Sequence, residues 1–529
     1  MKRIYKFFTF AAIMSTTAAC SDWDNHYNSD VNAGNGLTLI QMLEADDNTT
    51  TFARLVRKSG YGDLLSSSQS FTVFAPSNDA LTGFDESDMP QLKLMITNHI
   101  ARHTYPSSTP ADEGVRMMDG KVYNFDNTKS FAGRNIITSD RQAANGVIHH
   151  VSSQIPYINN IYEFIQSNPN TSKLYEFIHR FDEMKMDEKN SQEIGIDEDG
   201  RPVYDTVLVK YNRLLDDKLY GLGSIDTEDS TYTMLVPDNN AWEEAYNRIA
   251  PTFANYNVDQ NKADSIQDVR TCIAIINDLI YRKAPETPAS ADSLISTDGS
   301  VIHNPSQLFG NATRHELSNG NAFVVSSLNY DNTETWQKEI SIEGETQNGR
   351  TYNNTSVALY THNVTDASLV GGASKGSYIE VSTINTVSQA VVTFSIPGVL
   401  AGKYNVYAVF LPPTIEGEVD SPDSTYISFN MQYMNARGGN TTKNSNKKDA
   451  AHLTSGSRVV KMLAFEEIEF PVSDCTDRLW MMDEENNSGS ITPTTRLSIS
   501  TNVTNPEFNQ KKFGRTFRLD RIIFEPIKQ

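Results

Sequence analysis

The sequence predicts a multidomain chain: two copies of one α/β domain followed by an all-β sandwich or jelly roll. Three observations predict it. A strand–proline–helix joint occurs as Phe71-Thr-Val-Phe-Ala-Pro-Ser-Asn-Asp-Ala-Leu81 and again as Tyr232-Thr-Met-Leu-Val-Pro-Asp-Asn-Asn-Ala-Trp242, at an offset of 161. An apolar face at i, i+3, i+4, i+7 and i+8 occurs as Leu92, Met95, Ile96, His99 and Ile100 and again as Cys272, Ile275, Ile276, Leu279 and Ile280, at an offset of 180. From about residue 331, helical spacing gives way to short alternating strands between turns.

The N-terminus reads as a targeting segment. Lys2, Arg3 and Lys6 precede the apolar run Phe7 to Met14, Ser15 to Ala19 are small, and Cys20 follows. The run is too short to span a bilayer, so residues 1–19 read as a signal peptide. Thr17-Ala-Ala-Cys20 resembles a bacterial lipoprotein cleavage box, which implies that Cys20 is lipidated and becomes the first mature residue. Acyl chains anchor stably because each buried methylene contributes about 0.8 kcal/mol. Ser21-Asp-Trp-Asp24 resembles the acidic signal that sends lipoproteins of Bacteroidetes-type bacteria to the cell surface. The implied location is the outer membrane, facing the exterior. Residues 20–36 are polar and form a flexible tether.

Of 529 residues, 45 are basic and 66 acidic, a net charge of −21 that repels nucleic-acid phosphates. Besides Cys20, only Cys272 and Cys475 occur, in different predicted domains, so neither a disulfide nor a cysteine metal set is expected.

Residues 37–160 make up the first α/β domain. Helical spacing over Leu37 to Glu44 and Phe52 to Leu65 leads into the buried strand Phe71 to Pro76, where Ser77, Asn78 and Asp79 can cap a helix. Short strands follow at Lys121 to Phe125, Asn135 to Thr138 and Gly146 to Gln154. Asn145-Gly146 before β-type residues signals a tight hairpin, and Asn319-Gly320 repeats it. Residues 171–330 make up the second copy, with an inserted hairpin (193–211) turning at Asp199-Gly200. Phe71 to Ala80, the helix ending Asn98-His99-Ile100, and Asn145-Gly-Val-Ile-His149 resemble the two conserved blocks and central motif of the fasciclin domain. That resemblance implies a β-wedge packed with helices, used in adhesion and extracellular binding, without catalytic machinery or cofactors.

Residues 331–529 make up the sandwich. Tyr404, Val406, Ala408 and Phe410 line one strand face, Thr425, Ile427, Phe429 and Met431 another, and Phe517 to Phe524 is a third strand. Residues 436–458, rich in Gly, Asn, Thr, Lys and Ser, read as a mobile loop. Gly402 to Phe410 and Phe517 to Pro526 are similar to strands of galactose-binding-type domains.

Little in the chain suggests catalysis. His99 sits on an apolar face, and its counterpart is Leu279, which favours packing. His149 and His150 alternate on a strand and cannot share one metal. Metal and nucleophile motifs do not occur. Glu466-Glu467 is an acidic pair with no sign that both face one bond. Exposed aromatics suit stacking on a sugar or peptide, and Tyr426, Tyr433 and Trp480 are the ligand-binding candidates. The function expected is non-catalytic capture of glycan or peptide nutrients beside a TonB-dependent importer. The alternative is an adhesin or matrix-anchoring protein contacting host or neighbouring cells.

Overall fold

The computed structural model describes residues 36–186, 192–196, 202–205, 208–217, 221–257, 259–364, 371–384, 387–416, 424–474 and 494–528. Cys20, Cys475, Trp480 and the turn Asp199-Gly200 lie outside them. The chain divides into two compact units: residues 1–160 with 227–229, and residues 161–226 with 230–529.

The first unit holds one α/β module. Helices α1 (Leu39–Ala45) and α2 (Thr50–Lys58) lead into β1 (Phe71–Pro76). Helix α3 (Met89–Thr97) leads into β2 (Ile100–Arg102). Strands β3 (Phe125–Asn127), β4 (Ser130–Phe131), β5 (Arg134–Ala143) and β6 (Gly146–Val151) complete a six-stranded sheet of order β2-β1-β6-β5-β4-β3. Every residue of β1 is buried, because the sheet is covered on both faces. Leu39, Leu43, Phe52, Val56, Leu92 and Ile96 pack with Phe71 and Val73 on one side. Phe74, Phe125, Phe131 and Val151 pack on the other, where the Phe74 and Phe131 rings stack at 3.8 Å.

The second unit begins with the same plan. Helices α4 (Ile161–Ser167) and α5 (Ser172–His179) precede β7 (Tyr232–Pro237), α6 (Asn239–Ile249), α7 (Gln260–Ile276), β8 (Ile280–Tyr281), β9 (Thr313–Leu317) and β10 (Gly320–Val325). The sheet order is β8-β7-β10-β9. In both modules the joint strand lies between an antiparallel neighbour and a parallel one. Phe71 pairs with Gly146 and Pro76 with Val151, while Tyr232 pairs with Gly320 and Pro237 with Val325. The insertion forms two antiparallel ribbons, Asp182–Met186 with Leu208–Asn212 and Gln192–Ile196 with Pro202–Asp205.

Within the α/β modules, three places differ from the sequence expectation. The helix before His99 ends at Thr97, because the chain must turn into β2 to pair with β1. The same break follows Ile276 in the second copy. After β1 the joint makes only a 3₁₀ turn, Asp79–Leu81. Asn78 is diverted, and its Oδ1 accepts the free amide of Thr51 at the start of α2, 2.9 Å away. In the second copy Asp238 does cap the following helix, accepting the Ala241 amide at 2.8 Å.

Residues 340–526 fold as a sandwich of two antiparallel sheets. Its strands are β11 (Ile340–Glu343), β12 (Arg350–Thr351), β13 (Val357–Asn363), β14 (Ser377–Thr383), β15 (Val391–Ser395), β16 (Gly402–Leu411), β17 (Ile427–Met434), β18 (Asn440–Ser445), β19 (Val460–Phe470), β20 (Arg496–Thr501) and β21 (Phe517–Pro526). One sheet has the order β13-β14-β21-β16-β19, with β11 also on β21, and the other β12-β15-β20-β17-β18. Their inner faces share one core that includes Phe394, Phe410, Phe429, Leu497 and Phe524. The segment expected to be a mobile loop contributes edge strand β18 and a turn at Ala450–His452. Asp449 accepts the amides of that turn, and the buried His452 ring bonds Ser445 at 3.1 Å. The sandwich joins the second α/β module by hydrogen bonds to that module's backbone carbonyls. The Thr252 carbonyl accepts the Ala401 amide at 3.0 Å and the Ser473 hydroxyl at 2.5 Å, and the Ala254 carbonyl accepts the Ser473 amide at 2.6 Å.

Candidate functional site

The side chains best suited to chemistry are mostly committed to the scaffold. His99 is fully buried. Its Nδ1 bonds the Met95 carbonyl at 2.7 Å and its Nε2 accepts the Ile155 amide at 2.9 Å. Both ring nitrogens are therefore spent on closing the end of α3 against the chain after β6. Beside it Asn98 accepts the Tyr123 hydroxyl at 3.0 Å and donates to the Ile155 carbonyl at 3.1 Å. The counterpart pair is Asp278-Leu279, both buried, with Asp278 accepting the Ser296 hydroxyl at 2.6 Å. The leucine packs, and the hydrogen-bonding work passes to its neighbour.

Burial pushes the His99 imidazole down to about 4, with the Met95 bond opposing. A histidine in the unfolded chain titrates near 6.5, so acid protonates the unfolded state first. This group's contribution is complete above pH about 6.5. It is lost as pH falls from there toward the folded value of about 4, roughly 3 kcal/mol in all. Amide protection of β1 and β6 is expected to weaken from pH 7 to pH 4.5. His99→Leu should flatten that slope, although it leaves the Ile155 amide unpaired. Hydrogen exchange of peptides from the two strands, compared across pH, checks both.

His149 and His150 lie on β6, both buried. His149 Nε2 bonds the Tyr105 carbonyl at 2.9 Å, and its ring stacks on Phe74 at 5.2 Å. His150 contacts Arg141 at 2.9 Å and Asp46 at 3.3 Å, and Arg141 also pairs with Asp46. Burial lowers the pKa of both rings. Among the described residues, no group of three or more His, Cys, Asp or Glu is placed to share a metal. Cys272 is buried, and burial pushes its thiol up to about 12, far from a nucleophile's range. Glu466 and Glu467 form a bulge where β19 slips against β16, between the paired Phe465 and Ile468, and both side chains are exposed.

Of the aromatic candidates, Tyr426 and Tyr433 are half-buried. The Tyr426 ring meets Phe513 edge-on at 4.7 Å. Tyr433 packs against the sandwich core and meets Phe470 edge-on at 5.1 Å. Tyr426 directly precedes β17 and Tyr433 lies seven residues on, an odd separation that puts them on opposite faces, so they do not form one surface. Among the exposed aromatics outside those candidates is Tyr352, 41% exposed. It stands in a surface hollow lined by Thr351, Asn353, Ser356, Gln389, Val391 and Thr393. A tyrosine just beyond a two-residue strand, between Thr351 and two asparagines, is its only sequence signal.

Part of the chain is similar to known proteins. The Fasciclin domain family model matches residues 47–156. Two relatives come from Synechocystis. The uncharacterized protein sll1735 is 27% identical over 130 residues, covering 22% of this chain and 96% of its own. Protein sll1483 is 24% identical over 131 residues, covering 22% of this chain and 73% of its own. Among solved structures, the FAS1 domain pair of the insect cell adhesion molecule Fasciclin I is 13% identical, with a TM-score of 0.19, over 54% of this chain and 97% of its own. The C-terminal family 22 carbohydrate binding module of Clostridium thermocellum Xyn10B is 11% identical, with a TM-score of 0.20, over 36% of this chain and 92% of its own.

Proposed function

We propose that this is a non-catalytic binding protein, anchored to the outer membrane through lipidated Cys20 and facing the cell exterior. The supporting observation is the match of residues 47–156 to the Fasciclin domain together with the use its histidines are put to. His99 and His149 each spend both ring nitrogens inside the module, which leaves them no proton to exchange with a substrate. The role is holding: capture of glycan or peptide nutrients beside a TonB-dependent importer. Adhesion to host or neighbouring cells is the alternative reading, and the family match supports it equally.

Two experiments test this. Metabolic labelling with an alkyne fatty acid should tag the protein, and Cys20→Ala should lose the label and leave the membrane fraction. An untagged wild-type protein removes the anchor. Tagged protein purified from detergent-solubilised outer membranes should bring an importer with it. Recovery without one, together with loss of cell attachment on deletion, selects the adhesin.

A further inference from the structure

The sandwich has two outer faces of opposite character. On the sheet containing β14, β16, β19 and β21, the outward residues include cross-strand ion pairs: Arg518 with Glu380 at 2.5 Å and Lys461 with Glu525 at 3.7 Å. This is how a solvated face of a chain with 21% charged residues is expected to look. The five-stranded sheet differs. Val392, Phe394, Ile499 and Phe429 point inward, so the alternate residues point out. Register aligns Thr351, Thr393, Ser498, Asn430 and Asn444 in one row across all five strands. The next row is Ser395, Arg496, Gln432 and Thr442. Arg496 is the one charge in these two rows.

Strand propensity accounts for the Thr residues but not for Asn430 and Asn444, since asparagine is depleted from strands. The side chains are already ordered by one another. The Thr393 and Ser498 hydroxyls are 2.7 Å apart, and Asn430 Nδ2 donates to Asn444 Oδ1 at 2.5 Å. A ligand meeting them finds donors and acceptors whose ordering cost is largely met. The row is about 19 Å long, from four strand spacings. At one end it runs into the Tyr352 hollow, which shares Thr351 and Thr393 with it.

The geometry points to this face as a binding site for a neutral polysaccharide laid across the strands, with Tyr352 stacking on a sugar ring at one end. An anionic polymer would need more cations than Arg496, and an apolar partner would need apolar surface. Uncharged hydroxyl-rich chains match short hydroxyl and amide side chains, and an aromatic ring suits the apolar face of a pyranose. The assignment rests on the binding role proposed above and names its ligand class.

Electrophoresis of the mature protein through gels cast with arabinoxylan, galactomannan, laminarin or polygalacturonate tests it. At least one neutral polymer should retard the protein, and polygalacturonate should not. Asn430→Ala and Tyr352→Ala should each weaken retardation about tenfold, the loss of a contact of roughly 1.4 kcal/mol. Tyr360→Ala, which removes an exposed tyrosine from the other outer face, should leave it unchanged. Retardation by polygalacturonate alone, or equal loss in Tyr360→Ala, overturns the assignment. Undiminished retardation of the Asn430→Ala/Tyr352→Ala double variant also overturns it, while keeping the binding role and moving the site elsewhere. No retardation by any polymer overturns the ligand class, and the binding role then stands or falls on the purification and attachment experiments.

Discussion

Gly146→Ala should unfold the first α/β module, and Gly320→Ala the second. Each glycine opens the strand that pairs in parallel with the joint strand, at φ of +147° and +137°. An added Cβ would lie 1.9 Å from the Phe71 carbonyl oxygen in one case and 1.8 Å from the Tyr232 carbonyl oxygen in the other. These are backbone atoms of a fully buried strand, so no side chain can swing aside. Relief requires the two strands to part by more than an ångström, which breaks a parallel ladder six residues long in each module. Backbone strain and lost pairing together should exceed about 4 kcal/mol, the range of the most damaging single substitutions. Gly299→Ala is the control. That glycine also has a positive φ, +90°, but nothing lies near its Cβ position, so the change should cost only about 1 kcal/mol. Hydrogen exchange followed by mass spectrometry resolves the modules. Loss of protection confined to residues 37–160 in one variant and to the second module in the other is the expected result. Native protection of β1 in Gly146→Ala would show that the close approach is not real.

The repeat was legible because it is written in local signals. The joint strands, the helices before β2 and β8, and the Asn-Gly corners all fall where the offsets of 161, 180 and 174 put them. Helix ends were less legible. Leu92 and Ile96 pack as a helix face should, and His99 and Ile100 extend the period by accident, because β2 is also buried. Apolar spacing cannot tell a helix that continues from one that stops and feeds a strand. The sandwich strands could be seen one at a time, but their partners could not. The terminal strand β21 lies between β14 and β16, more than a hundred residues upstream. The polar rows depend wholly on such pairings, since Thr351, Thr393, Asn430 and Ser498 are scattered in sequence. Sequence alone therefore points to aromatic residues, two of which pack half-buried against other rings. Within segment 436–458, strand β18 is illegible for a related reason: its Asn, Thr and Lys residues look like loop until β17 supplies the partner.

The residue before each glycine carries the second large effect. Asn145 is buried, and its Oδ1 accepts the Leu39 amide at 2.8 Å, an orphan donor in the first turn of α1. Its Nδ2 donates to the Leu65 carbonyl at 2.9 Å and the Ser67 carbonyl at 2.7 Å. Asn319 repeats the arrangement, accepting the Ile161 amide at 2.9 Å and donating to the Ile225 carbonyl at 2.7 Å. One side chain thus ties the first helix of each module and the loop before its joint strand to the hairpin corner. The helices α1 and α4 have seven residues each, too short to hold themselves, so this tie bears on whether they form at all. Asn145→Asp and Asn319→Asp keep the size and the acceptor but turn the donor into a second acceptor facing carbonyl oxygen. A buried carboxylate against unsatisfied carbonyls should cost about 4 kcal/mol at pH 7. The sign with pH is opposite to that of His99. The introduced carboxyl is favoured in its protonated form inside the fold, so its folded pKa lies above that of the unfolded chain and acid restores stability. The second module is the cleaner place to see this, because Leu279 stands where the first has His99 and adds no acid-labile group of its own. Protection of β7 and α4 in Asn319→Asp should be low at pH 7 and recover toward pH 5. Full protection at pH 7 would mean that the corner asparagine is a turn former alone and ties nothing to it.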